Sequence, residues 1–271
     1  MNAGADAEAR RTYDAFAASY EDFTYQYMYE RWTGRLLEQA EAAGLSGRRL
    51  LDVGCGTGLS FISMLPRGFE VTGCDISPAM LELAREKAGE EATLAVADMR
   101  ELPTFGEFDL VWAVNDSINY LLSVEELEAT LAGMRRNLAP GGVIVFDVNT
   151  LTAYRSFWSE EVAFEHGDKS FSWSGKGSPM GTETGAIFEA RFEGEGEGVE
   201  PHVHRQKHFA EPEVLAAIEA AGLRCADVAG EFEGDLGRPL DEEHHTKAVY
   251  VCAAARSLGT AERSASPSET A

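Results

Sequence analysis

The sequence predicts an α/β fold on a mostly parallel sheet, and three observations carry that reading. From Leu50 to Val148, short apolar runs alternate with longer amphipathic stretches of helical spacing, the pattern of strands joined by right-handed helical crossovers. The run Phe108-Asp109-Leu110-Val111-Trp112-Ala113-Val114 scarcely alternates, as expected of a strand buried on both faces. The turns carry the third signal. A glycine-rich break follows the first run, a Ser-Pro pair follows the second, and Leu138-Ala139-Pro140-Gly141-Gly142 precedes the fifth. In such sheets ligands bind outside the carboxyl ends of the strands.

Taken in order, Tyr13, Phe16, Tyr20 and Phe23 are spaced by three, four and three residues, one stripe on a helix. Tyr27, Tyr29 and Trp32 extend it toward a longer helix ending near Gly44. The stripe either docks the helix on the core or covers a cleft, and tyrosines suit a half-wet cleft better than a dry core. The first strand ends in Leu50-Leu51-Asp52-Val53, a helix follows over residues 58–66, and Glu70-Val71-Thr72-Gly73-Cys74-Asp75 is the second strand. Ser77 as N-cap with Pro78 at the first helical position opens a helix running to Gly89. Leu94-Ala95-Val96-Ala97-Asp98-Met99 is the third strand, residues 108–114 the fourth, residues 123–137 the next helix and residues 143–148 the fifth strand. Beyond Asn149 the sequence turns rich in aromatics, glycine and glutamate, with short strands around Phe171-Ser172-Trp173, residues 186–192 and residues 203–209, an antiparallel insertion. A helix over residues 211–221 and two further strands, near residues 224–230 and 248–253, follow it. The Ser-, Thr-, Ala- and Glu-rich end reads as a disordered tail.

The glycine turn names a ligand class. Gly54, Gly56 and Gly58 leave the backbone open to close approach, and Asp75 stands where a carboxylate accepts hydrogen bonds from a ribose diol. The partner is an adenosine-containing cofactor. A dinucleotide fingerprint needs G-x-G-x-x-G, whereas the register here is G-x-G-x-G with Leu59 at the last glycine's place. A Walker loop needs Gly-Lys-Ser/Thr, and no lysine occurs before Lys87.

Asp52-Val53-Gly54-Cys55-Gly56-Thr57-Gly58 resembles the first motif of the class I S-adenosylmethionine-dependent methyltransferases, and Asp75, Asp98-Met99 and Leu138-Ala139-Pro140-Gly141-Gly142 match later family marks in order. The resemblance implies a Rossmann-like, seven-stranded, mostly parallel sheet with its last strand antiparallel, a small antiparallel β insertion and an N-terminal helical lid. The corresponding divisions are residues 1–45, 46–149, 150–208 and 209–256, with the tail at 257–271. It implies S-adenosyl-L-methionine as cofactor, with contacts from Tyr13, Tyr20, Asp52, Gly54, Cys55, Gly56, Asp75, Ile76, Met80, Asp98, Met99 and Asn115. Asp98 would receive the adenine amino group and Asn115 the amino-acid end. Tyr13-Asp14-Ala15-Phe16-Ala17-Ala18-Ser19-Tyr20 resembles the cap of small-molecule methyltransferases, where tyrosines approach both the methionine moiety and the acceptor. Asp116-Ser117-Ile118-Asn119-Tyr120-Leu121 resembles a group of bacterial methyltransferases of mostly undefined substrate.

Methyl transfer needs an aligned acceptor and exclusion of water, with a base only where a proton must leave. Candidates for catalytic contact are Asp116, Tyr20, His204 and His208. Asp116 either binds a cationic amine or acts as base, or with Asn119 caps the loop. His202, His204 and His208 alternate along one strand, so their side chains can share a face, with His204 or His208 an acceptor contact or base rather than a metal ligand, so no metal is expected. N-methylation of an amine is preferred, with O-methylation the near rival and a non-catalytic cofactor-binding protein the alternative of another class. The formal net charge of −23, from 46 acids against 23 bases, repels a phosphate backbone and an anionic membrane. Four cysteines without C-x-x-C spacing, and no long apolar run, lead to the expectation of a cytoplasmic protein with reduced thiols, monomeric or homodimeric.

Overall fold

The computed structural model describes residues 3–176 and 184–255. Two helices, α1 (Ala3–Phe23) and α2 (Tyr29–Ala42), precede β1 (Arg49–Val53). Then follow α3 (Leu59–Ile62), β2 (Glu70–Asp75), α4 (Pro78–Ala88), β3 (Ala92–Val96), β4 (Phe108–Ala113), α5 (Val124–Arg136) and β5 (Leu138–Asn149). The insertion comprises α6 (Leu151–Arg155), β6 (Glu161–His166), β7 (Lys169–Gly175), β8 (Ile187–Glu195) and β9 (His202–Lys207). The chain closes with α7 (Glu211–Ala220), β10 (Leu223–Phe232), β11 (Asp235–Gly237) and β12 (Lys247–Ala254).

The main sheet has the order β11-β10-β12-β5-β4-β1-β2-β3, parallel from β3 through β5, with β12 antiparallel to both β5 and β10. It holds eight strands rather than seven. Glu233 and Gly234 both have positive φ, the conformation of a tight hairpin turn, and fold β11 back on β10 as an edge strand. The chain proceeds outward from β1 to β3 and then crosses back to β4, so the switch point lies at the carboxyl ends of β1 and β4.

Alternate residues feed two cores. Leu51, Val53, Val111, Ile144, Phe146, Tyr250 and Cys252 pack on the α5 and α7 face with Leu127, Leu131, Val214 and Ile218. Leu50, Leu110, Trp112, Val143, Val145, Val249 and Val251 pack on the other face with Leu36, Leu37, Phe61, Leu81 and Ala84 of α2, α3 and α4. Strands apolar on every residue are what a sheet covered on both sides requires. Ser77 caps α4 by accepting from Met80 N at 3.1 Å.

The insertion is a separate antiparallel sheet of order β6-β7-β8-β9, one strand more than the sequence suggests. β6 is short and carries only two apolar half-buried residues, Val162 and Phe164, with His166 on the same face and Glu161, Ala163 and Glu165 exposed between them. The N-terminal region is two helices rather than one extended helix. At the break, Thr24 Oγ1 donates to the Tyr20 carbonyl at 2.8 Å and chain direction changes before Met28. The helix expected over residues 58–66 is a single turn of α followed by a 3₁₀ turn. The four cysteines are unpaired thiols. The tail expected at residues 257–271 lies outside the described residues. Among the described residues, no helix is long and apolar enough to cross a membrane.

Helix α1 lies between the two sheets. Asp14 accepts from Ser77 Oγ at 2.6 Å and Thr12 Oγ1 donates to the Val203 carbonyl at 3.0 Å, tying α1 to α4 and to β9. Phe16 packs with Met80, Phe171 and Phe192.

Candidate active site

The turn after β1 is built by backbone. Gly54 and Cys55 N–H both reach the Cys74 carbonyl, at 2.8 and 3.0 Å. Gly54 has φ +73°, and a Cβ there would sit 3.1 Å from Ser117 Cβ; Gly56 has φ +52° and faces open space. Asp75 at the end of β2 fixes the turn from below, its Oδ2 accepting from Gly56 N at 2.9 Å and its Oδ1 from Ser77 N at 2.8 Å.

A cleft opens over this turn, lined by Tyr13, Tyr20, Gly54, Cys55, Gly56, Asp75, Ile76, Met80, Asp98, Met99 and Asn115. Eleven of the twelve residues that the sequence nominates for the cofactor therefore converge on one cleft. Asp52 does not reach it. It is wholly buried, its Oδ2 accepting from Ser60 Oγ at 2.5 Å, and burial pushes its carboxyl up to about 7. Its place is beneath the turn, tying β1 to α3. Asp98 reaches the cleft with both oxygens engaged by the Arg100 guanidinium, at 2.8 and 2.6 Å.

The donor set fits an adenosine carrying an amino acid. Thr57 Oγ1 and Ser117 Oγ are buried, line the cleft and have no hydrogen-bond partner among the described residues, as hydroxyls waiting for a polar ligand would be. Asp75 keeps lone pairs that the diol of such a ligand would use. Burial pushes its carboxyl up to about 6, while the two N–H donors pull it down. A diol binds the ionised form more tightly, and protonation at falling pH removes acceptor capacity. The affinity for S-adenosylhomocysteine, measured by calorimetry, is accordingly expected to be flat above about pH 7 and to fall about tenfold by about pH 5.

A second cavity of about 470 Å³ adjoins the first. Tyr13, Tyr20, Tyr29, Asn115 and Tyr120 line both and form the neck between them. Its far walls are aromatic, with Phe16, Phe23 and Trp32 from the N-terminal helices and Trp158 and Trp173 from the insertion. The Tyr20 and Tyr29 hydroxyls bond each other across the break between α1 and α2.

Asp116 and His204 line this second cavity; His208 does not. His208 is buried elsewhere, its Nε2 3.2 Å from Glu242 Oε2 and its Nδ1 accepting from Gly185 N at 3.2 Å. The β9 segment ends at Lys207, so the alternation expected to carry His208 onto the shared face stops short of it. Asp116 is neither a free base nor a simple loop cap. Its Oδ1 meets Lys247 Nζ at 2.6 Å and its Oδ2 accepts from Gln206 Nε2 at 2.7 Å. Lys247 also lies 3.3 Å from Asp147 Oδ1. Burial alone would lower the lysine, but the two carboxylates hold it far above its ordinary range. Asp147 in turn accepts from the backbone N–H of Asn115 and Asp116, at 2.8 and 2.6 Å, pinning two residues of positive φ at the end of β4. Asn119 donates to the Lys207 carbonyl at 2.9 Å and accepts from Asn149 N at 2.9 Å, stitching the insertion to the main sheet.

Lys247 and Tyr29 are site residues that the sequence reading leaves out, while Tyr120 enters it only as the end of the segment over residues 115–120. A lone lysine opening the apolar run Lys247-Ala248-Val249-Tyr250-Val251-Cys252 is the one local signal for the first. Among the described residues no group of three His, Cys, Asp or Glu side chains is placed to hold a metal ion.

Known proteins carry the same pattern. A family described as "Methyltransferase domain" matches residues 50–142. A protein named only as a methyltransferase, from Geobacillus sp. (strain WCH70), is 29% identical over 239 residues, covering 85% of this chain and 96% of its own. The dTDP-3-amino-3,4,6-trideoxy-alpha-D-glucopyranose N,N-dimethyltransferase of Streptomyces venezuelae is 30% identical over 194 residues, or 70% of this chain and 80% of that protein. The crystal structure of an S-adenosylmethionine-dependent methyltransferase from Clostridium acetobutylicum ATCC 824 superposes with a TM-score of 0.73 at 20% identity, covering 90% of this chain and 99% of the other. With a G-x-G-x-G turn, Asp75 at the end of β2 and relatives aligned along most of its length, this chain belongs to the class I S-adenosylmethionine-dependent methyltransferases.

Proposed function

We propose that the enzyme methylates the nitrogen of a small-molecule amine of about amino-sugar size. The observation that carries this reading is the second cavity, whose aromatic walls coincide with an excess of negative charge. Asp116, Glu231 and Glu233 line it against Arg31 and Lys247, and Asp147 stands behind Lys247. Aromatic faces attract a cation by about 0.5–2 kcal/mol each, and surplus carboxylates add to that pull. A volume of about 470 Å³ suits a ligand larger than a simple alkylamine. The Streptomyces venezuelae relative acts, by its name, on an amino sugar, which supports the same chemistry here.

Bound S-adenosylmethionine supplies an electrophilic methyl group on a sulfonium. The chain's part is alignment and dryness. Asp75 and the Gly54–Gly56 turn hold the nucleoside side, and Asn115, pinned through Asp147, holds its place at the neck. Tyr13, Tyr20 and Tyr120 narrow the passage so that an acceptor meets the methyl group from one direction and without water. Burial keeps all three phenols protonated by raising them above their usual range.

A screen of amino sugars, alkyl and aryl amines, and phenols with isotopically labelled methyl donor tests the proposal. Labelled N-methyl products from amino sugars are expected. Turnover of phenols or carboxylic acids alone would refute it.

A further inference from the structure

A cavity that attracts an ammonium also holds it protonated, and an ammonium has no lone pair with which to attack. The acceptor proton must therefore leave, and Asp116 is already committed to Lys247 and Gln206. One hydrogen-bonded path does lead out of the neck, and its direction is fixed from its outer end. His202 Nδ1 lies 2.7 Å from the Glu200 carbonyl at an exposed position. A carbonyl only accepts, so Nδ1 carries the proton and Nε2 of the neutral ring is bare. His204 Nε2, 3.0 Å from that bare nitrogen, must donate to it. Burial pushes His204 well below its ordinary range, so its ring is neutral too and its Nδ1 is bare. Tyr120 Oη, 2.7 Å from His204 Nδ1, must then donate outward along the path, leaving lone pairs for a donor in the neck.

We propose that Tyr120, His204 and His202 form a proton-exit path that strips the acceptor of its N–H proton and delivers it to water beside Glu200. This rests on the methyltransferase reaction and on an acceptor with a proton to lose. The acceptor N–H bond breaks with its electron pair left on nitrogen, and its proton bonds to Tyr120 Oη. The Tyr120 proton passes to His204 Nδ1, and the His204 Nε2 proton passes to His202 Nε2. His202, now an imidazolium, releases its Nδ1 proton to water at its exposed edge. The pair left on nitrogen is the one that forms the N–methyl bond. Phe16 and Trp173, each with ring centroids 5.1 Å from His204, and Phe192, stacked 4.6 Å from His202, wall the path from other polar groups. The titratable and charged groups lining the cavity it faces are Tyr13 and Tyr20 from α1, Tyr27 from the interhelical loop, Tyr29 and Arg31 from α2, Asp116 after β4, Glu231 and Glu233 at the end of β10, and Lys247 on β12. Of these, Asp116 and Lys247 are paired with each other.

Two measurements test the path. In the S-adenosylhomocysteine complex, long-range ¹H–¹⁵N NMR of histidine-labelled protein is expected to show opposite tautomers, with the proton on Nδ1 in His202 and on Nε2 in His204. A His204 protonated on Nδ1 overturns the proposal whatever the acceptor is. In kinetics with the acceptor best turned over in the screen, His202→Gln keeps an acceptor for His204 but cannot take up a proton. Its kcat is expected to fall about 10²-fold near neutrality with KM little changed, and to recover as pH rises past the acceptor's own pKa. A loss equal at every pH would mark a structural role and also overturn the path. A screen that yields phenols alone removes the amine reading and leaves the tautomer measurement decisive.

Discussion

Asp75→Ala is expected to weaken S-adenosylhomocysteine binding by about 10²–10³-fold. A hydrogen bond to a charged group contributes about 1.5–3 kcal/mol, and a diol makes two to one carboxylate. At about 1.4 kcal/mol per tenfold, the loss spans at least two decades. Asp75→Asn should be nearly as damaging. Both oxygens already accept from backbone, Gly56 N on one side and Ser77 N on the other, so an amide must turn an NH₂ toward one of those N–H donors. The turn and the ligand are then disturbed together. Calorimetry reads the affinity, and denaturant unfolding checks that the sheet is intact; a loss under about fivefold would mean that Asp75 does not face the ribose. By contrast Ser60→Ala, which strips the buried Asp52 of its hydroxyl partner, should act mainly on stability, with the other cleft residues left in place.

Why Asp75 is legible from sequence, and Lys247 is not, has a physical answer. The glycine register, Asp75 and the Ser77-Pro78 start are local: each constrains backbone within a few residues, and the constraint is written in residue types with special φ or capping ability. The acceptor side is assembled differently. Asp116, Asp147, Gln206 and Lys247 come from the ends of β4, β5, β9 and β12, and meet only because the sheet order puts β12 beside β5 and the insertion folds over both. No period or spacing encodes that meeting. His208 shows the converse error, since alternation along β9 places it correctly only if the strand continues, and the strand ends one residue before it. The break between α1 and α2 carries neither glycine nor proline between Thr24 and Met28, so helix punctuation gives no warning there, although the break is what brings Tyr29 onto Tyr20.

Lys247→Met is expected to destabilise the protein by about 3 kcal/mol, with the site's loop failing first. Asp147 is fully buried, and the side chains of Lys247 and Asp116 are 20% and 28% exposed. Removing one partner of a buried ion pair costs about 3–5 kcal/mol because the other charge is left without compensation; partial exposure of Asp116 puts the cost at the lower end. Here two carboxylates are left facing each other. Asp147, already raised by burial, loses the cation that lowers it, so the penalty exists only where the carboxylates are ionised. It should grow as pH rises from about 4 and be smaller at about pH 5 than at about pH 8. Adding Asp116→Asn removes one of the two anions and should recover roughly half of the loss, which denaturant unfolding of the single and double variants measures. The same cluster sets the neck. Asn115 and Asp116 hold φ of 59° and 53°, conformations that cost side-chain-bearing residues about 1–2 kcal/mol each, and they are kept there by donating to Asp147. An Asp147 that repels Asp116 or takes up a proton no longer holds both N–H groups. Loss of cofactor affinity should therefore accompany the loss of stability, and a Lys247→Met protein that unfolds more easily while binding S-adenosylhomocysteine as tightly as before would disconnect the cluster from the site.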